Sequence, residues 1–309
     1  MSEQVIIDPK CRHDFVLLFD VKDGNPNGDP DAGNLPRVDP ETMHGLVTDV
    51  CLKRKVRNYV ESVRGAHERY KIYVQNRGIL AHQQKRAYLA LELNEGSLKP
   101  NENARKWMCD NFFDVRVFGA VMTTGKTKEE KSGKQLHWNC GQVRGPIQMT
   151  FARSIDPVVP LDLSITRVAL TNPDDTDRGD VDDEQAASGQ MGRKSIIPYG
   201  LYRGYGFVSP LLGQETGLSE EDLSVFWQAL QQMWDLDRSA SRGFMSCRGL
   251  YVFTHENSVG NAPAHMLVLD RVVVKLKEGI RTPRRFEDYV VEVDDNNLPD
   301  GVTLTRLVG

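Results

Sequence analysis

The sequence predicts an α+β fold built on a largely antiparallel sheet, and three of its features carry that prediction. A run rich in β-branched and aromatic residues, Asp14–Val21, is typical of a buried strand. The segment from Ser219 to Trp234 has apolar side chains at helical spacing. Further strand-like segments follow without a regular strand–helix alternation, which disfavours a doubly wound parallel sheet.

The remaining elements are predicted in chain order. Proline and glycine between Lys22 and Pro40 predict a long loop after the first strand. Helical periodicity begins at Glu41 and changes phase near Cys51, which indicates a kink or a helix buried on two sides. Further helices are expected near 82–93 and 103–113. Strands are expected at Val143–Ala152, Leu161–Leu170, Leu250–Thr254, His265–Lys277 and Tyr289–Val293.

The composition is that of a folded protein without a membrane span. The chain has 309 residues, of which 39% are hydrophobic, and a formal charge of −4. Its longest apolar run, Phe15–Phe19, is far shorter than the ~20 residues that a spanning helix needs. The polar N-terminus lacks the apolar segment of a secretory signal, so we expect a cytoplasmic protein. The length suits one elaborated domain, 1–309, or two ordinary ones.

The sequence gives little support for a metal, a cofactor or a familiar catalytic motif. Its five cysteines have no paired short spacing, which predicts reduced thiols and not a zinc site or disulfides. The phosphate-binding loop and the nucleophile elbow are both absent. We therefore expect no cofactor and no resident metal, whereas a Cys–His pair that meets only in the fold stays open. The aspartates of the first loop could in principle hold Mg²⁺, but aspartate is also common in turns.

Charge is concentrated in two blocks of opposite sign. Between Lys53 and Lys71 seven basic side chains accompany two acidic ones, and between Thr171 and Gln190 seven acidic side chains accompany one basic one. Lys53, Arg57 and Arg64 share one side of the predicted helix, which suits either a solvated face or a ridge that contacts successive phosphates. The acidic block has too few apolar residues to order itself and is expected to be an exposed loop or hairpin tip.

An aromatic and glycine-rich segment follows the acidic block. Between Tyr199 and Phe207 aromatic residues alternate with Arg203 and glycines. Such a segment either offers stacking surfaces to single-stranded bases or forms a glycine-kinked strand whose rings fill the core. Small, flexible residues also surround Arg242 and Arg248 just before the next predicted strand.

Four segments together resemble one known family. They are the strand and loop DFVLLFDVKDGNPNGDPDAGNLPRVDP, the block DVRVFGAVM at 114–122, GQVRGPIQ at 141–148 and IIPYGLYRGYGFVSP at 196–210. In this order they resemble the backbone subunit of the type I-C CRISPR Cascade complex, within the repeat-associated mysterious protein (RAMP) superfamily. The resemblance extends over nearly the whole chain.

The resemblance implies a right-hand architecture on a modified RNA-recognition (RRM, ferredoxin-like) palm with an antiparallel sheet. A helical insertion at roughly 65–113 would form fingers, and a β-hairpin at about 167–197 would form a thumb with the acidic block at its tip. The protein would be a non-catalytic antiviral subunit that binds CRISPR RNA as a helical filament with copies of itself. Its other partners would be the large and repeat-processing Cascade subunits and the target DNA strand that pairs with the guide.

The resemblance and the charge pattern together select the residues expected to contact RNA. They lie on the basic helix, in the loop before it, in the returning limb of the thumb and in the two later basic segments. They are Lys53, Arg54, Arg57, Asn25, Asn27, Arg193, Lys194, Arg203, Arg242 and Arg248.

Two further expectations follow from the resemblance. The aromatic stacking motif usual for an RNA-recognition sheet is not evident, so bases are not expected to stack on the sheet face. The alternative function, from another class, is a Mg²⁺-dependent endoribonuclease that cuts target RNA with Asp29 or Asp31, as related backbone subunits of RNA-targeting CRISPR systems do.

Overall fold

The computed structural model of the chain describes residues 2–94, 99–128, 135–166 and 191–309. Its helices are α1 (Ser2–Val5), α2 (Asp49–Arg64), α3 (Leu80–Ala90), α4 (Glu102–Asn111), α5 (Phe113–Phe118), α6 (Pro210–Thr216), α7 (Glu220–Leu236) and α8 (Ala264–Val268). Its strands are β1 (His13–Gly24), β2 (Gly28–Asp29), β3 (Leu35–Pro36), β4 (His44–Val47), β5 (Gly119–Met122), β6 (Lys126–Lys128), β7 (Gln135–His137), β8 (Gly141–Arg144), β9 (Ile147–Met149), β10 (Ala152–Pro157), β11 (Leu161–Thr166), β12 (Met191–Val208), β13 (Phe244–His255), β14 (Val272–Leu276), β15 (Tyr289–Val293) and β16 (Val302–Val308).

The largest sheet among the described residues has the strand order β16–β13–β1–β12–β10–β4, and β9 and β11 pair with other parts of β12. Each of these pairings is antiparallel. The elements β1, α2, β10, β12, α7 and β13 follow one another in chain order as βαββαβ. Their strands lie in the order β13–β1–β12–β10, which is the ferredoxin-like arrangement. The predicted fold class is therefore confirmed.

The main core lies between this sheet and the helices α2 and α7. The ring centroid of Phe15 is 5.2 Å from that of Trp227, and the centroid of Phe19 is 4.6 Å from that of Trp234. Helix α7 begins at a capping box in which Ser219 and Asp222 bind each other's backbone N–H groups. The aromatic stripe of this helix is therefore core, as its spacing predicts.

The opposite face of the sheet is covered as well. Tyr199, Tyr251 and Phe253 are buried there in an apolar cluster that includes residues of α8, β14 and β15. In the glycine-rich segment, Tyr202 stacks on Phe19 with centroids 5.4 Å apart. For Tyr199 and Tyr202, then, the core interpretation is correct. The rings of Tyr199, Tyr251 and Phe253 are therefore closed to RNA bases.

The helices α3 and α4 pack around a core of their own. A separate cluster of buried residues begins at Tyr73, includes Tyr88 and Met108 from α3 and α4, and continues through Trp138 to Val143. It therefore extends beyond the 65–113 range expected for the fingers. The division of the chain into palm and insertions stays a prediction.

Several element boundaries differ from prediction. The helix predicted from Glu41 begins only at Asp49, because His44–Val47 pairs with β10 and the Thr48 side chain caps the helix. The phase change near Cys51 thus reflects a switch from strand to helix. The segment predicted as the strand His265–Lys277 opens with α8, and Val143–Ala152 divides into three strands. The loop Lys22–Pro40 contains the small hairpin of β2 and β3, and β16 has no counterpart in the prediction.

Strand β12 joins the main sheet to a hairpin. Its first six residues, Met191–Ile196, pair with β11, and its later part pairs with β1 in the centre of the sheet. The returning limb of the expected thumb, 167–197, therefore belongs to this strand. Residues 167–190, with the whole acidic block, lie outside the described part of the chain.

Candidate nucleic-acid interface

A groove at the start of α2 brings together three of the residues expected to contact RNA. Asn27, Arg54 and Arg242 come from the loop after β1, from α2 and from the segment before β13. The groove encloses about 560 Å³. The other side chains and backbone segments that line it are Gly28, Asn34, Arg37, Thr48, Val50, Cys51 and Phe151.

Asn27 fixes the loop to the beginning of the helix. Its Oδ1 accepts hydrogen bonds from the backbone N–H of Thr48 at 2.9 Å and from the Thr48 hydroxyl at 3.0 Å. The Thr48 hydroxyl oxygen in turn accepts from the N–H of Cys51, which caps α2. The positive end of the α2 dipole therefore opens onto the groove.

Asn25 is buried below this surface and braces the loop. Its Nδ2 donates to the carbonyl of Asn34 at 2.8 Å, and its backbone N–H donates to the carbonyl of Ser241 at 2.7 Å. Both bonds hold the loop against neighbouring segments. Asn25 therefore positions the loop from inside, and Asn27 is the asparagine that lines the groove.

Three guanidinium groups line the groove. Arg54 donates to the carbonyl of Val74 at 2.8 Å, and Arg242 donates to the carbonyl of Pro26 at 3.2 Å. Arg37 forms an ion pair with Asp29 at 3.3 Å. Each Arg has further N–H donors beyond these bonds, so the groove can offer several donors to an anion.

The other two predicted cations of the helix are directed elsewhere. Lys53 forms an ion pair with Asp49 at 2.9 Å, and its ammonium lies 5.7 Å from the centroid of the Phe118 ring. Arg57 is buried, and its Nε donates to Asp114 at 2.7 Å. The charge at Arg57 therefore joins α2 to α5 and does not line the groove.

Lys55, in the same basic block, lies inside the protein. Its side chain is hydrogen-bonded to Asp237, and burial, together with the nearby positive charge of Arg242, lowers its pKa. Asp237 also forms an ion pair with Arg242 at 3.3 Å. One carboxylate therefore anchors both a core lysine and a groove arginine.

A second groove surrounds Arg203. It encloses about 460 Å³ and is lined in part by His44, Phe151, Arg153 and Tyr205. The Arg203 guanidinium lies 5.6 Å from the centroid of the Tyr205 ring and donates to the carbonyl of Val272 at 3.3 Å.

Arg248 faces a third cavity, on the opposite face of the sheet from α2. The cavity encloses about 580 Å³ and is also lined by Asp20, Arg284 and Phe286. Arg248 donates to Asp20 at 2.8 Å, while burial raises the pKa of that carboxyl group. This pairing holds Arg248 away from the groove at the start of α2.

Arg193 and Lys194 lie in the hairpin, opposite Ser164 and Leu163 of β11. The ten predicted residues therefore do not form one site. Asn27, Arg54 and Arg242 meet in one groove, while Arg203, Arg248 and the hairpin pair lie at three other places.

The cysteines lack the features of reactive thiols. All five are free, and burial raises the pKa of Cys109 to about 11 and that of Cys140 to about 12. Such thiols stay protonated at neutral pH and are poor nucleophiles. Within the described ranges, no group of three or more His, Cys, Asp or Glu side chains is arranged to hold a metal ion. Of the helices in these ranges, none has the length and apolar character needed to cross a lipid bilayer.

Comparison over most of the length of the chain identifies its family. A family profile described as CRISPR-associated protein Cas7 matches residues 11–294. The chain belongs to the Cas7 family. A curated relative, the CRISPR-associated protein Cas7 of Haloferax volcanii, is 27% identical to it over 319 aligned positions, which cover 96% of this chain and 86% of that protein.

Three solved structures with similarity to this Cas7 family member come from CRISPR complexes. A chain of a CRISPR RNA-guided surveillance complex in a pre-nicking state is 15% identical, with a TM-score of 0.45 and coverage of 78% of each chain. A chain of a second CRISPR RNA-guided surveillance complex is 16% identical, with a TM-score of 0.44. The match covers 78% of this chain and 68% of that chain. A chain of a type III-B Cmr-beta complex bound to cognate target RNA is 11% identical, with a TM-score of 0.38. The match covers 81% of this chain and 63% of that chain.

Two residues that line the groove of this Cas7 family member are not predicted from the sequence. Arg37 is an isolated cation in a loop, and Phe151 is an isolated aromatic residue between two strands. Neither has a charge block or a periodic pattern around it. The available signal for Arg37 is its place in the loop that also carries Asn27.

Proposed function

We propose that this chain is a non-catalytic, CRISPR RNA-binding backbone subunit of a type I-C Cascade surveillance complex. The observation that carries the proposal is the groove at the start of α2, where Arg37, Arg54 and Arg242 meet beside a helix N-terminus. Clustered guanidinium groups and a helix N-terminus both favour phosphate. Such contacts grip a backbone regardless of sequence, as a subunit that serves many guides requires.

Membership of the Cas7 family supports an assembly of this kind. Copies of the chain would line up along one CRISPR RNA as a helical filament in the cytoplasm. The guide would be presented for pairing with invading target DNA, and the large and repeat-processing subunits would complete the complex. Base pairing would then supply the sequence specificity that the groove lacks.

The test measures affinity for single-stranded RNA by fluorescence anisotropy at stepped salt concentrations. We expect Arg54→Ala and Arg242→Ala to weaken binding to all sequences alike, and each to reduce the salt slope by about 0.7. Arg64→Ala is the matched control, because Arg64 lies on the same helix, pairs with Glu221 at 3.8 Å and does not line the groove. Unchanged binding in both groove variants would contradict the proposal.

The proposal of a non-catalytic role is tested separately through the loop aspartates. Asp29 accepts a hydrogen bond from the backbone N–H of Asp31 at 3.2 Å and pairs with Arg37, so its carboxylate already has partners within the loop. We expect no cleavage when the assembled complex is incubated with complementary RNA and Mg²⁺. Cuts at regular intervals that disappear in Asp29→Ala or Asp31→Ala would establish the endoribonuclease instead.

A further inference from the structure

We propose that Phe151 is a stacking surface for an RNA base, placed where a strand of RNA would pass between two cationic grooves. The inference rests on the proposed function and adds a residue to it. Phe151 lies in the turn between β9 and β10, and 54% of its surface is exposed. Of the described residues that line the two grooves, it is the one that both share.

The charges on either side of the ring favour a phosphate backbone. Arg54 and Arg242 line the groove on one side of Phe151, and Arg153 and Arg203 line the groove on the other. Arg153 is well exposed, although it forms an ion pair with Asp39 at 2.8 Å. A strand with phosphates in both grooves would bring a base between them against the Phe151 ring. Aromatic faces accept any base, so this contact is compatible with changing guide sequences.

The backbone around the ring is fixed before any ligand arrives. The N–H of Thr150 donates to the carbonyl of Tyr205 at 2.8 Å, and the N–H of Tyr205 donates to the Thr150 hydroxyl oxygen at 3.1 Å. On the other side, Ala152 pairs with Val47 in the sheet. A surface that is already in place loses less conformational freedom on binding.

Exposed apolar side chains are common on folded proteins, so exposure alone would not distinguish Phe151. Phe244 provides the comparison within the same chain. It is 51% exposed, and the Arg238 guanidinium lies 4.7 Å from its ring centroid. However, it lines only the cavity on the opposite face of the sheet, where three acidic side chains accompany the basic side chains Lys22, Arg248, Arg284 and Arg285. Phe244 is therefore a matched aromatic control outside the two grooves.

The experiment compares two probes in fluorescence anisotropy: a short oligoadenylate and an abasic ribose-phosphate oligomer of the same length. We expect Phe151→Ala to lower the affinity for oligoadenylate by about 5- to 150-fold, the usual range for one stacked base. Affinity for the abasic oligomer and the salt slope should not change, since no phosphate contact is removed. Phe151→Trp should retain binding, Phe151→Leu should lose it, and Phe244→Ala should bind as the wild type does.

Each contrary result has a definite meaning. Unchanged oligoadenylate binding by Phe151→Ala, full binding by Phe151→Leu, or equal losses on both probes would overturn the stacking role. So would variants that bind oligoadenylate normally but no longer associate with other copies of the chain, which would make Phe151 a protein contact. If the wild-type protein bound neither probe, the proposed function itself would fail. Urea unfolding of each variant provides the check that folding is intact.

Discussion

Replacing Arg57 with alanine should destabilise the protein while leaving its RNA affinity almost unchanged, even though its position in the sequence makes it a predicted RNA contact. Arg57 is 9% exposed, and its partner Asp114 is 1% exposed. Asp114 also accepts from the backbone N–H groups of Tyr73 at 2.8 Å and Val74 at 3.0 Å. The pair therefore links α2 to α5 and to the segment that precedes α3.

The magnitude follows from what the substitution leaves behind. Without Arg57, the Asp114 carboxylate is buried without its cation, and breaking such a pair costs about 3–5 kcal/mol. The guanidinium also lies 5.3 Å from the centroid of the Phe118 ring, and this contact would be lost as well. Folded proteins are stable by only ~5–15 kcal/mol, so the loss would be a large share of the total.

The assay combines urea unfolding with RNA binding. Arg54→Ala is the contrasting variant, since it removes one hydrogen bond to a backbone carbonyl, costing ~1 kcal/mol, but takes a cation from the groove. We expect Arg57→Ala to shift the unfolding midpoint and Arg54→Ala to shift the affinity. If Arg57→Ala does not fold, Arg57→Lys keeps a cation beside Asp114 and should recover part of the stability, with unchanged RNA affinity. Normal stability with weakened RNA binding in Arg57→Ala would refute this reasoning.

Three further outcomes are expected. Burial lowers the pKa of His13 to about 4. As the pH falls, the unfolded chain therefore binds a proton at this histidine before the folded chain does. The free energy of unfolding should drop by up to ~3 kcal/mol between about pH 6.5 and pH 4. Urea unfolding at stepped pH should show a shallower decline in His13→Gln, and parallel declines would contradict this assignment. Ser219→Ala removes the cap of α7 and should cost ~1 kcal/mol in the same unfolding assay, with no change in RNA affinity. Deleting Asp174–Gln190 should preserve the thermal unfolding transition but impair filament assembly in electron micrographs, and normal filaments would argue against a thumb in this segment.

The elements that were predicted correctly have local signals. The apolar run of β1 and the capped, periodic α7 can be recognised within a single stretch of sequence. The error at Glu41 arises because Met43, Leu46 and Val47 fit a helical spacing, although the last two lie in β4. A short strand directly followed by a helix gives one mixed pattern, and periodicity alone cannot divide it.

The sequence predicts that the candidate site contains basic residues of α2, but not which of them line the groove. Basic residues on α2 are visible in the sequence, yet Arg57 and Lys55 are neutralised by Asp114 and Asp237, which are 57 and 182 positions away. Only the fold reveals such partners. The same long-range packing brings Arg242 to the start of α2, where no sequence pattern would place it.

The continuity of β12 constrains how the hairpin can change during evolution. The first residues of this unbroken strand pair with β11 in the hairpin, and its last residues pair with β1 in the centre of the sheet. In the centre its phase is fixed, because a Cβ at Gly206 would come within 2.1 Å of the Phe15 ring. Side chains alternate along a strand, so inserting one residue between the two parts would turn every hairpin side chain to the other face. Insertions or deletions in pairs keep the orientation, so lineages that vary the reach of the hairpin should differ by even numbers of residues in the limb that β12 contributes.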